Sequence, residues 1–243
     1  MILLKPDHDR RIEIPGVARP VRRPVDIDRS LTNFSVLRTL RIYRFEKDSV
    51  IEGHAEEDEV FIVVLSGSIE LTMSVDPLEK GSPVILAAPD GSGAVACAAY
   101  LPRHAAYTLI PQTDADIAYA RASPASDRMP KVFSSKPRPD SSGVHLLLDE
   151  KTHAERLLLR LLCISSEANE AFHVPVEEYV GECEGLMHIR MTSPEQMEAA
   201  MNGGEKGPVT ICSFDTIVAS PGDRLTLNFA AGSAGLALIV MAR

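Results

Sequence analysis

Residues 36–54 read VLRTLRIYRFEKDSVIEGH and residues 155–173 read ERLLLRLLCISSEANEAFH. The two stretches lie over one another without a gap, because 155 − 36 and 173 − 54 are both 119. The echo continues outward. Gly67 in VLSGSIEL answers Gly185 in CEGLMHI one residue out of phase, and Pro102 in YLPRHAAYTL answers Pro221 in ASPGDRLTL in phase. A recurring order of apolar strand, His, Gly turn and Pro implies two folding units of one type. Differences between the copies then mark where chemistry resides.

Around this core the first copy shows short apolar runs at 60–65, 69–75, 84–88, 95–101, 107–110 and 117–120, most bounded by Gly, Pro, Asp or Ser. The second shows them at 157–164, 178–183, 186–191, 209–212, 216–219, 224–229 and 236–241. That spacing predicts an all-β protein of two tandem sandwiches or barrels. Residues 1–122 form the first unit with a Pro- and Arg-rich arm, 123–143 a Pro- and Ser-rich linker, and 144–243 the second unit. One helix is expected, opened by Ser193-Pro194-Glu195, continuing through Met197 and Met201, and stopped by Gly203-Gly204.

The 243 residues suffice for two real cores, and 45% hydrophobic with 24% charged residues is an ordinary globular balance. A net charge of −9 argues against nucleic-acid binding, which needs a concentrated basic surface. The only basic cluster, within residues 19–29, is broken by Pro20, Pro24 and Asp26. No run approaches the ~20 apolar residues of a membrane span. The start MILLKPDHDRR lacks a secretory apolar run, so a cytoplasmic location is expected. Cys97, Cys163, Cys183 and Cys212 are widely spaced and read as reduced core thiols. Gly91-Ser92-Gly93 reads as a turn, since it lacks the Lys and helix of a phosphate loop.

Aligning the Gly turns lays residues 178–183 over 60–65. The first strand is apolar on both faces, which predicts a filled barrel. In the second, Glu178, Val180 and Glu182 share a parity, and on the next strand Leu186, His188 and Arg190 do. Two readings stand side by side. This face is solvated and carries surface ion pairs, or it points into the second barrel and lines a polar cavity whose carboxylates and imidazole move protons. Tyr179, Gly181 and Cys183 make a weak core face, which favours the second reading.

The order of His, strand, Gly and Pro resembles the cupin pattern, and two copies resemble a bicupin. HVPVEEYVGECEG keeps His173, Glu178 and Gly185 at cupin separations; Ala171 stands at the first His, and SPGDRLTLN keeps Pro and Gly without a His. More narrowly, DEVFIVVLSG, YLPRHAAYTL, DADIAYARA and GLALIVMA resemble the 5-deoxy-glucuronate isomerase family of inositol catabolism. The resemblance implies one divalent metal (Zn, Mn, Fe or Ni) in the second barrel, on His173 and Glu178 with His188 or Glu182 as a third ligand. It implies an aldose–ketose isomerisation of a uronate-like sugar, with Arg190 or the metal polarising the carbonyl and Glu178 or Glu182 shuttling the proton. In the first copy Tyr107 stands where the later ligand His would be. The alternative is a non-catalytic cupin without a metal, binding a metabolite or serving as a structural dimer module. On either reading the expected partner is a small sugar acid or carboxylate. The apolar runs at 60–65 and 236–241 suggest a homodimer.

Overall fold

A computed structural model describes residues 2–76, 81–123, 128–137, 143–154, 156–165, 171–175, 183–193, 196–201, 209–221, 223 and 225–243. The fold is two tandem β-barrels of cupin type, each made of a large and a four-stranded sheet with antiparallel neighbours. In the first barrel the large sheet runs Lys131–Ser134, Ala96–Leu101, Glu59–Ser66, Ala115–Ala122, Leu37–Phe45, Val21–Asp28, Arg11–Ile12. Its small sheet runs Ile51–His54, Ala106–Pro111, Ser68–Ser74, Val84–Ala87. The second barrel's large sheet runs Ile2–Leu4, Thr216–Ala219, Glu184–Ser193, Ala234–Ala242, Leu157–Ile164, Val144–Glu150. Its small sheet runs Phe172–Pro175, Leu225–Phe229, Gln196–Met201, Val209–Cys212.

Apart from the extra edge strand Arg11–Ile12 of the first barrel, the two strand orders are the same, so the internal repeat is real and its register can be read from the pairings. Leu37–Phe45 matches Leu157–Ile164, and Ala115–Ala122 matches Ala234–Ala242. The strand equivalent to Glu59–Ser66 is Glu184–Ser193, since each lies beside the matched strand with Ala122 opposite Glu59 and Ala242 opposite Glu184. The alignment of residues 178–183 with 60–65 is therefore corrected. Those later residues, Glu178 and Glu182 among them, fall outside the described residues, apart from Cys183.

The expected helix is also corrected. Gln196–Met201 is a central strand, paired with Val209–Cys212 on one side and Leu225–Phe229 on the other. The helix preference of Met and Ala amounts to only tenths of a kcal/mol per residue, and two flanking ladders override it. Among the described residues the one α-helix is Arg29–Thr32, capped by the Asp28 carboxylate and closed by Asn33 at φ 58°.

Each barrel is completed by the chain that precedes the other. Ile2–Leu4 adds an edge strand to the second barrel through Thr216–Ala219, and Lys131–Ser134 adds one to the first through Ala96–Leu101. The large sheets pack back to back, and alternation sends one residue set into a barrel and the other into the seam. Val60, Ile62 and Val64 face the first lumen, whereas Phe61, Val63 and Leu65 join Leu157, Leu159, Leu161, Leu186 and Val240 in one shared core. Two glutamates fasten this seam reciprocally. Glu59 accepts the backbone N–H groups of Arg156 and Leu157, at 2.9 and 2.6 Å. Its equivalent Glu184 accepts those of Ser35, Val36 and Leu37, at 2.6, 3.1 and 3.2 Å.

Candidate functional site

The described lining of the second barrel is largely oily. Leu158, Leu162, Ile164, Val174, Met187, Ile189, Met191, Ile217, Leu227, Phe229, Ile239 and Met241 form its core. Because Met187, Ile189 and Met191 take the inward parity, His188 and Arg190 point into the seam and not into the lumen. His188 is fully buried there, its Nδ1 3.1 Å from the Thr216 hydroxyl and its Nε2 without a hydrogen-bond partner. Burial pushes its pKa down to about 3, so it is a neutral imidazole. Arg190 donates from Nε to Asp116 at 3.3 Å. His173 is exposed beside Asn228 Oδ1 at 2.5 Å, while its neighbours Phe172 and Val174 pack against the core. The structure thus does not bring His173, His188 and Arg190 together. Among the described residues no three His, Cys, Asp or Glu side chains are placed to hold a metal ion.

The seam cluster around Arg190 is a pinned ion network. Arg44 makes a bidentate pair with Asp116 at 2.7 and 3.0 Å, and Ser66 adds a hydrogen bond at 3.0 Å. Burial acts to raise the Asp116 pKa, but Arg44, Arg190 and Ser66 outweigh it and hold the carboxyl below its ordinary range.

Among the described residues the polar lumen wall is in the first barrel. On Leu37–Phe45 the parity of Phe45, a lumen residue, also carries Thr39, Arg41 and Tyr43. Across the ladder Arg121 lies opposite Thr39, Tyr119 opposite Arg41 and Ile117 opposite Tyr43. In the second barrel the same ladder places Met241 opposite Leu158, Ile239 opposite Arg160 and Ala237 opposite Leu162. The inward arginine persists in both copies with a cross-strand acid, Arg41 with Asp26 at 2.9 Å and Arg160 with Asp149 at 3.0 Å. Around it, Thr39, Tyr43, Tyr119 and Arg121 stand where the second barrel has Leu158, Leu162, Ile239 and Met241. Tyr107 completes the set opposite Gly53. A Cβ on Gly53 would stand 2.4 Å from the Tyr107 ring, so glycine is what lets the phenol lie across this wall.

The three phenols pack against one another, Tyr43 on Tyr119 at 5.3 Å between centroids and Tyr107 on Tyr119 at 6.0 Å. Tyr119 is only 6% exposed, and its hydroxyl has the Tyr107 phenol as a polar neighbour, while the buried hydroxyl of Thr39 has no hydrogen-bond partner. Burial, with the neighbouring Tyr107 phenol, pushes the Tyr119 pKa well up, and burial raises that of Tyr107. Both are therefore neutral O–H donors near neutrality. Arg121 is anchored by donating to the His54 carbonyl at 2.6 Å and lies 3.4 Å from Glu56 and 3.8 Å from Asp58. Thr39, Arg41, Tyr43, Tyr107 and Arg121 are half-buried, so solvent reaches this wall. Sequence reasoning passed over it although the signal lies in the stretch quoted first: Thr39-x-Arg41-x-Tyr43 against Leu158-x-Arg160-x-Leu162.

No family model and no curated protein sequence matches the chain. Solved structures do match in fold. An IolB-like protein from Salmonella typhimurium superposes with TM-score 0.66 at 15% identity, covering 94% of this chain and 91% of that one. An oxalate decarboxylase gives TM-score 0.65 at 10% identity over 100% of this chain and 77% of that one. A cupin 2 conserved barrel domain protein from Leptotrichia buccalis gives 0.55 at 10% identity over 100% and 98%. The cupin fold is common to these chains. Among the described residues no helix is long and apolar enough to cross a membrane.

Proposed function

We propose that this cupin-fold protein binds a small carboxylated metabolite, of the sugar-acid class, in its first barrel. The observation that carries the reading is the one-sided exchange of lumen residues between copies. A barrel that needs only a core fills with aliphatic side chains, as the second does around Arg160. Burying a hydroxyl without a partner, as at Thr39, costs about 1–3 kcal/mol by mutational measures, a cost that a bound ligand removes. Guanidinium and phenol donors converging on one wall suit a carboxylate and the hydroxyls beside it. An isomerisation of a uronate would be a further activity of such a complex, to be assayed on it.

The test is titration calorimetry with D-glucuronate and D-galacturonate, with D-glucose as the neutral comparison. Tyr119→Ile and Arg121→Met install the residues that the second barrel already tolerates. Saturable uronate binding, weakened at least about tenfold in both variants and absent for glucose, is expected. Equal binding by wild type and both variants, or none at millimolar uronate, would remove the first barrel from consideration.

A further inference from the structure

The pseudo-twofold relation between the barrels leaves one niche in the seam filled and its mate open. Val84–Ala87 and Val209–Cys212 are equivalent edge strands, Ala87 paired with Ser68 and Cys212 with Gln196. The loops that follow differ in length, residues 88–95 in the first copy and 213–215 in the second, and both reach the seam, the first through Ala88, Pro89 and Asp90 and the second through Phe214. Phe214 is held at φ 71°, an uncommon conformation for a residue with a side chain, and its ring lies in the seam. The ring sits 5.6 Å from the Arg44 guanidinium and 6.0 Å from that of Arg190, and it meets His188 edge-on at 5.7 Å.

Carried through the repeat, Arg44 becomes Cys163 and Arg190 becomes Leu65 with the bulged Ser66, and Pro89 stands beside these counterparts as Phe214 stands beside the two arginines. Leu65, Ser66, Pro89 and Cys163 line an open groove of about 470 Å³ at the seam, and Arg190 lines it too. Proline cannot reach across as phenylalanine does, so the mate of the Phe214 niche lacks its ring. Among the described residues Arg190 spends only its Nε on Asp116, and its terminal nitrogens carry no hydrogen bond. Asp90, the acid on the rim, is engaged with Ser92, whose N–H and hydroxyl it accepts at 2.8 and 2.6 Å.

We infer that this seam groove is a second ligand site, for a small aromatic carboxylate whose ring takes the place Phe214 fills in the mate and whose anion meets the outer nitrogens of Arg190. The ring would lie between Leu65 and Cys163, and the volume falls in the range of small-molecule pockets. The site is separate from the first-barrel wall and does not depend on it.

Benzoate is the probe, titrated by calorimetry against the full chain. Pro89→Phe closes the groove with the side chain that fills its mate, and should weaken benzoate at least about tenfold. Arg190→Gln removes the charge while Arg44 continues to hold Asp116, and should weaken it similarly. Arg121→Met, in the first barrel, should leave benzoate binding unchanged. The inference is overturned if benzoate shows no saturable binding, if binding survives Arg190→Gln and Pro89→Phe, or if Arg121→Met abolishes it. Sedimentation supplies the remaining contrary outcome: a wild-type dimer that Pro89→Phe turns into monomers would mean that a second copy fills the groove.

Discussion

Glu59 and Glu184 each close the end of a strand that belongs to the opposite barrel, and the cost of losing one can be stated. Glu184→Ala leaves the N–H groups of Ser35, Val36 and Leu37 without an acceptor and should destabilise by about 1–3 kcal/mol in urea unfolding. Burial acts to raise the Glu184 pKa, but the hydrogen bonds from Ser35, Val36 and Leu37 outweigh it and lower the value from 4.5. Its contribution is thus full above pH 4.5 and fades as the pH falls through the lowered folded value. His188 acts over a wider window. Its folded pKa of about 3 lies below the ordinary 6.5, so between those values the unfolded chain takes up a proton that the folded chain refuses. Stability should decline by about 1.4 kcal/mol per pH unit across that window as the solution is acidified. A urea series over the same range should show the slope reduced by about that amount in His188→Leu. Gly53→Val should dislodge Tyr107 and weaken uronate binding without closing the barrel.

At the level of strands, the exchange of Ile2–Leu4 and Lys131–Ser134 gives each barrel a foreign edge. Removing residues 1–5 should bare the edge of Thr216–Ala219 and strip Asp215 of its 2.5 Å pair with Lys5. A lower melting temperature and concentration-dependent light scattering are expected. Much of this architecture was legible. The repeat of 36–54 in 155–173, the strand runs and the all-β class all follow from local pattern, because alternation and turn residues are local signals. The register was not, because it is set by ladders between strands distant in sequence; matching the Gly turns puts residues 178–183 where Glu184–Ser193 belongs. That shift draws attention to the second barrel, whose described lining is oily, and away from the polar wall of the first. His188 and Arg190 read as lumen residues because a strand's parity says which side chains share a face, not which face is inside. The correct contrast, Tyr43 against Leu162, needed only the gap-free stretch, whose offset of 119 holds across that strand.

Over the whole molecule, one apolar core runs through both barrels: Leu40, Ile42, Phe61 and Val63 pack with Leu159, Leu161 and Val240. The two halves should therefore unfold together. The chain has five tyrosines and no tryptophan, and Tyr43, Tyr100, Tyr107 and Tyr119 lie in the first barrel, so tyrosine fluorescence reports chiefly on that half. Leu161→Ala, a change in the second, should cost about 2–5 kcal/mol and shift the fluorescence transition by the same amount as the circular-dichroism one. Separate midpoints would show that the seam does not couple them.

The borrowed edges also set a timetable for biosynthesis. Ile2–Leu4 leaves the ribosome long before Thr216–Ala219 exists to receive it, whereas the first barrel gains its last strand as soon as residues 131–134 emerge. The first half can thus pair its strands while its own leading segment still waits, unpaired, for the end of translation. A nascent chain stalled once residues 131–134 have emerged carries a bare apolar seam face and an orphaned strand, and both are what a chaperone or protease would meet.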